Sequence, residues 1–264
     1  MRITALVENV SNSELKATHG LSLYIETHEH KILFDLGPDN TLFDNAEARN
    51  INLSEVDIVI ISHGHMDHGR ALRRFLDINS SARIYIQRKA FLPHYTKVLF
   101  LKVGVGLDKR LENHPQVTLV EGDLQIDEEL RLFTVSNIEK CYSKVNDVLF
   151  EEKQKDNFLH EQNLIIKESQ SVLVMGCGHA GVVNILEKAE QYDPQVCIGG
   201  YHLFDPVTKK TVSDTLLNQI AVELQGYPGT KFYTCHCTGN TAYQYLADRI
   251  PNMFRLSCGQ TIVV

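Results

Sequence analysis

With 264 residues, 43% of them hydrophobic, the chain is long enough to bury one substantial core, and residues 1–264 are expected to form a single domain. It holds no apolar run of about eighteen residues or more, its six cysteines are too sparse for a disulfide scaffold, and a net charge of −7 with no basic block beyond Arg70, Arg73 and Arg74 speaks against a nucleic-acid footprint. A membrane span, a secreted disulfide protein and a nucleic-acid binder are thereby set aside, leaving a cytoplasmic protein with a small-molecule partner.

A first strand is expected over 2–10, where Met1-Arg2-Ile3-Thr4-Ala5-Leu6-Val7-Glu8 meets charge too early for a secretory segment. Residues 21–26 alternate as a strand with one solvated face does, and Lys31-Ile32-Leu33-Phe34-Asp35 completes a hairpin, with His28 and His30 as solvent-facing turn residues. Asp35-Leu36-Gly37-Pro38 ends that strand. Asp35 is either a turn cap or the carboxylate that steadies a metal-bound histidine through its other nitrogen.

The apolar, β-branched run Val56-Asp57-Ile58-Val59-Ile60-Ile61 reads as a central strand buried on both faces. It leads directly into Ser62-His63-Gly64-His65-Met66-Asp67-His68-Gly69, and Ala71, Leu72, Phe75 and Leu76 then recur at helical spacing. The cluster therefore sits on a strand-to-helix turn. His63 and His65, two apart in extended chain, project to the same side, and Asp67 and His68 follow as the helix begins. Imidazoles and a carboxylate so placed suit a borderline divalent ion, zinc first, with iron or manganese as alternatives.

Residues 82–86 form a further expected strand. From about 89 to 160 the pattern loosens into short candidate strands at 98–101, 117–120 and 130–135, and the stretch reads as an insertion that caps a substrate. Regularity returns in a two-strand pattern ending at Gly176-Cys177-Gly178-His179-Ala180-Gly181, before a helix marked by Val182, Ile185, Leu186 and Ala189. This repeats the histidine-bearing turn of the first motif and makes His179 a candidate ligand. Val196-Cys197-Ile198-Gly199-Gly200-Tyr201-His202 repeats it again, with His202 a substrate contact in preference to a ligand. Thr211 and Asp214 have capping-box spacing for a helix that stops at Gly226. Lys231-Phe232-Tyr233-Thr234 leads to Cys235-His236-Cys237-Thr238-Gly239, then a short helix and a last strand near 254–264. If the chain stays extended at His236, Cys235 and Cys237 point away from it and serve packing.

The His-x-His-x-Asp-His pattern at His63 to His68, behind a strand and before a helix, resembles the signature of the metallo-β-lactamase superfamily. His19-Gly20-Leu21-Ser22, Gly176-Cys177-Gly178-His179, Gly199-Gly200-Tyr201-His202-Leu203 and Cys235-His236-Cys237-Thr238-Gly239, in this order, are similar to the subgroup named after dihydropterin-ribofuranosylaminobenzene phosphate synthase. The resemblance implies a four-layer αββα sandwich with one or two metals at one edge of its sheets. It implies a first metal on His63, His65 and His179, and Asp67, His68 and His236 around a second metal or the reactive water. It further implies that Asp35 supports the site, and that His19 and His202 meet substrate. Many relatives carry a metal-bridging aspartate where this chain has Cys177, and often a second glycine where it has Arg70. The activity implied is hydrolysis of an ester-like or phosphoester substrate by metal-activated water, with Asp67 as proton acceptor. Alternatives are the condensation that names the subgroup, and a non-catalytic metal or redox protein using Cys177, Cys235 and Cys237.

Overall fold

A computed structural model describes all residues from Met1 to Val264. Two seven-stranded sheets face each other. The first runs, edge to edge, Thr261–Val263, Arg2–Val7, Ser22–Glu26, Lys31–Phe34, Ile58–Ile61, Arg83–Gln87 and Val117–Val120. The second runs Met253–Arg255, Lys231–Thr234, Val196–Gly199, Ser171–Val174, Asn163–Lys167, Leu130–Phe133 and Leu124–Gln125.

The period-two geometry of strands sorts the core into three clusters. Ile58 and Ile60 point between the sheets, where they meet Leu164, Ile166, Val172, Val174 and Ile198 from the opposite one. Val59 and Ile61, on the other face of the same strand, pack with Leu42, Phe43, Leu72 and Phe75 of the helices Thr41–Ala48 and Leu72–Ile78. Leu173 and Cys197 do the same outside the second sheet, against Val182–Ala189, Asp214–Gln225 and Asn240–Ala247. Helices thus cover both outer faces, and the fold is the αββα sandwich. No helix is long and apolar enough to cross a membrane.

Several boundaries differ from expectation. The tail forms two strands, Met253–Arg255 in the second sheet and Thr261–Val263 in the first, because the chain crosses between sheets at Leu256 to Gln260. The long helix is capped by Ser213, whose side chain accepts from Leu216 N, and not by Thr211. Residues 98–101 are not one strand. They are the turn of a hairpin, His94–Val98 to Leu101–Gly104, with Leu99 in the left-handed region and Leu99, Phe100 and Leu101 exposed at its tip. Within 89–160, Val117–Val120 closes the first sheet, whereas Leu124–Gln125 and Leu130–Phe133 belong to the second. The hairpin joins Leu149–Glu151 and Gln154–Lys155 in a separate four-stranded sheet.

His30 is not a solvated turn residue. Its Nδ1 lies 2.7 Å from Asp57 Oδ2 and its Nε2 3.1 Å from Asp127 Oδ2, which clips the two sheets together at the strand ends opposite the histidine motif. Burial pulls this ring down, but the bond to Asp57 and the charges of Asp57, Asp127 and Glu129 outweigh it and leave the pKa above 6.5. A pKa raised by folding adds stability that is complete below the unfolded value and lost as pH rises through the folded one. Urea unfolding from pH 6 to 8.5 should therefore show wild type losing more stability than His30→Gln, by up to about 1 kcal/mol for a partly exposed pair. Equal slopes for the two proteins would remove His30 from this role.

Candidate metal centre

The parallel strands Lys31–Phe34 and Ile58–Ile61 of one sheet and Ser171–Val174, Val196–Gly199 and Lys231–Thr234 of the other end at one edge of the sandwich. Asp35, the His63–His68 run, His179, His202 and His236 all lie just past these ends, so the strand register carries them into one volume. The His63 ring centroid lies 4.7 Å from that of His65, 4.1 Å from His68 and 5.0 Å from His179. The donor atoms of His63, His65 and His179 lie within 4.8 Å of one another.

The hydrogen bonds fix which nitrogen of each ring carries the proton. Asp35 accepts from Ser62 N, Ser62 Oγ and His68 Nδ1, each at 2.7 Å. The Ser62 hydroxyl proton being committed to Asp35, its oxygen accepts from His63 Nδ1 at 2.8 Å. Asn146 donates to the His179 carbonyl, so its Oδ1 accepts from His179 Nδ1 at 3.0 Å. Asn9 Oδ1 accepts from His236 Nδ1 at 2.8 Å. With Nδ1 protonated in all four rings, every Nε2 presents a lone pair.

Few of those lone pairs meet a protein donor. Nε2 of His63, His65 and His179 is buried without a partner, and Nε2 of His68 and His236 face each other at 3.2 Å. Two acceptors at that distance repel unless a proton or a metal cation lies between them. Asp67 Oδ2 stands 3.4 Å from His236 Nε2 and 3.7 Å from His68 Nε2, and Cys177 Sγ 3.2 Å from His68 Nε2. Burial and the neighbouring imidazoles hold His63 and His179 well below their ordinary pKa. His68 goes the other way: against burial, Asp35 and Asp67 push it up to about 9, so this spot favours positive charge. Orphaned nitrogens and acidic oxygens in a buried space are the donor set a borderline dication takes, and the residues present fit one.

Buried carboxylates also hold the loops that carry these histidines. Glu161 accepts from His179 N and Ala180 N at 2.8 and 2.9 Å, and Glu8 accepts from His236 N at 2.6 Å. Burial raises Glu161 to about 7 despite those backbone donors. Backbone approach is close as well: a Cβ on Gly176 would fall onto Ser62 Oγ, so the turn carrying Cys177 can lie against the first motif only as glycine.

Of the other expected residues, His19 is half-exposed, with Nε2 3.4 Å from Asp67 Oδ2. His202 is partly buried with φ of 47°, its ring 4.2 Å from that of His179 and its Nδ1 unpartnered. Cys235 packs between the sheets as expected. Cys237 does not point away, because residues His236–Thr238 form a tight helical turn that brings its sulfur within 4.8 Å of the donor atoms of His236 and Cys177. Sequence reasoning passed over Asn9, Asn146, Glu8 and Glu161. Only Ser62, adjacent to His63, carried a local signal.

A family model described as the metallo-beta-lactamase superfamily matches residues 15–138. Along 99% of its length the chain is 29% identical to 96% of the 7,8-dihydropterin-6-methyl-4-(beta-D-ribofuranosyl)-aminobenzene-5'-phosphate synthase of Methanocaldococcus jannaschii. It is 26% identical, over 93% of this chain and 94% of the relative, to an uncharacterized protein of the same organism. The crystal structure of Tm1679, described as a metal-dependent hydrolase of the beta-lactamase superfamily, superimposes with a TM-score of 0.83 at 26% identity, covering 100% of this chain and 99% of that one. Matching motif, layered fold and full-length likeness all show the chain to be similar to the metallo-β-lactamase superfamily.

Proposed function

We propose that this chain is a metal-dependent hydrolase of an ester-like or phosphoester bond in a small molecule. His63, His65 and His179 would hold one divalent ion, zinc first, and Asp67, His68 and His236 a second. The observation that carries the reading is the wiring of the site, in which protein acceptors take the Nδ1 protons of His63, His68, His179 and His236 and leave their Nε2 lone pairs facing a common space. When bound, such an ion brings the pKa of a water to about 7 and polarises the bond under attack. Asp67 is the proton acceptor: despite burial, His68, His236 and His19 hold its carboxyl well below the usual range, so it is ionised at neutral pH and free to accept a proton as the charge of its neighbours changes. Partly exposed His19 and the unpartnered Nδ1 of His202 are the groups left to meet substrate.

Elemental analysis of protein purified without added metal, followed by a screen of phosphodiesters, lactones and thioesters, tests this. One or two equivalents of a transition metal and turnover of one class are expected. Metal without turnover on any of them, or turnover that survives stripping, would sink it.

A second reading is favoured by the full-length likeness to the pterin-pathway synthase. In a condensation the leaving group is a diphosphate, and Asp67 would take a proton from an incoming nucleophile other than water. Incubation with a pterin alcohol diphosphate and a ribosylated aminobenzoate phosphate separates the two readings by product: a joined molecule supports the synthase, free pterin alcohol the hydrolase.

A further inference from the structure

The segment that joins the two sheets places three buried polar side chains, His94, Asp156 and His160, behind the first histidine pair. Asp156 Oδ2 is 3.0 Å from His160 Nε2 and 3.1 Å from His94 Nδ1, and its other oxygen accepts from Phe158 N at 2.8 Å. His160 Nδ1 accepts the backbone N–H of Gly64 at 2.9 Å. Gly64 is the residue between His63 and His65, and its own Cβ position lies 2.7 Å from Ala90 O and from the His94 ring, so it has no room to shift toward them.

We propose that Asp156 is a positioning residue that locks the tautomer of His160, so that His160 holds the backbone between His63 and His65. A neutral imidazole has one N–H, and Nδ1, being the acceptor for Gly64, cannot carry it. The proton is on Nε2 and points at Asp156 Oδ2. Without that carboxylate nothing favours this tautomer, and the alternative turns an N–H toward the Gly64 N–H. His63, His68, His179 and His236 each have a polar partner on Nδ1, whereas no hydrogen bond holds the His65 ring. The geometry of His65 therefore depends on its backbone, which the Gly64 N–H bond to His160 holds on one side and the Met66 N–H bond to Val105 O on the other. Donor atoms of His65, His94, Asp156 and His160 also lie within 4.8 Å of one another. They do not make a further ion site, because His160 has both nitrogens committed.

The link to metal binding rests on the function proposed above; the lock itself does not. In metal-stripped protein, ¹⁵N shifts should place the His160 proton on Nε2, and the Gly64 amide should be protected from exchange. Asp156→Leu should speed that exchange at least tenfold and weaken Zn²⁺ binding, measured against a competing chelator, by about 10–100-fold. His160→Leu should do the same. His160→Asn, whose side-chain oxygen can accept the Gly64 N–H without a tautomer to set, should restore both properties in the presence or absence of Asp156. If Asp156→Leu does not fold, the two His160 variants carry the comparison alone. Unchanged Gly64 protection in the leucine variants, or His160→Asn behaving like His160→Leu, would overturn the lock. A protein that bound no Zn²⁺ yet showed this pattern of protection would overturn the metal reading and support the lock.

Discussion

His65→Ala is expected to remove an ion and to lower turnover by more than about a thousandfold, because the chemistry requires a water brought from a pKa of about 15.7 toward 7. Its effect on stability should be the opposite of what burial suggests. The His65 ring is buried, its Nε2 has no protein partner, and burial with the nearby His160 holds it well below its ordinary pKa. An unpaired buried polar atom costs about 1–3 kcal/mol, which alanine relieves while opening a cavity, so stripped His65→Ala should unfold within about 1 kcal/mol of stripped wild type. Added Zn²⁺ should then raise the melting temperature of wild type and not of the variant, since only a ligand that binds the folded state stabilises it. Atomic absorption, thermal scans with and without Zn²⁺ and rates on whichever substrate class is turned over check all of this. Turnover that persists in a variant without the ion would remove the metal from the mechanism.

The parts of this molecule legible in its sequence are those written in consecutive residues. Ile58–Ile61 is buried on both faces, and its apolar run says so; the turn after it carries four potential ligands within six positions, and the structure brings them together. Asp35 was legible as one of two alternatives, since an aspartate at a strand end does either job. What was not legible lies across long loops. Asn146 meets His179 from 33 positions away, Asn9 meets His236 from 227, and Asp156 reaches His94 across 62. None of these residues sits in a pattern with a period, because a single hydrogen bond to a ring nitrogen asks only for one acceptor at one point. Cys237 was misplaced for a different reason. The two-residue alternation of extended chain does not survive a left-handed residue, and His236 has φ of 49°. The same conformation recurs at Asp35 and His202, φ of 61° and 47°, so the backbone departs from local rules where the site is built.

Asp35→Asn should damage the site far more than the fold, for a reason that follows from counting protons. The substitution keeps the size of the side chain and a residue type that tolerates positive φ. One oxygen still accepts from Ser62 N, but the amide that replaces the other is a donor facing Ser62 Oγ and His68 Nδ1. To meet it, His68 must give up its Nδ1 proton and take one on Nε2. Ser62, now accepting from the amide, must turn its hydroxyl proton toward His63 Nδ1, which drives the His63 proton to Nε2 as well. One atom thus withdraws a lone pair from each of the two ligand groups. Flipping the amide instead leaves two N–H groups opposed at Ser62 in a fully buried place. A loss of about 2 kcal/mol in urea unfolding is expected, against about 3–5 kcal/mol for Asp35→Ala, which strands every donor at once. Zn²⁺ affinity should fall by about 10–100-fold or more at both groups. Ser62→Ala is the control: it removes the hydroxyl that joins His63 to Asp35 but keeps the Asp35–His68 bond, and should weaken the ion on His63, His65 and His179 more than the one on His68 and His236. Were Asp35→Asn to hold the wild-type complement of Zn²⁺ at unchanged affinity, the rings could not be wired as described, and the inference of a cation from opposed lone pairs would fail with them.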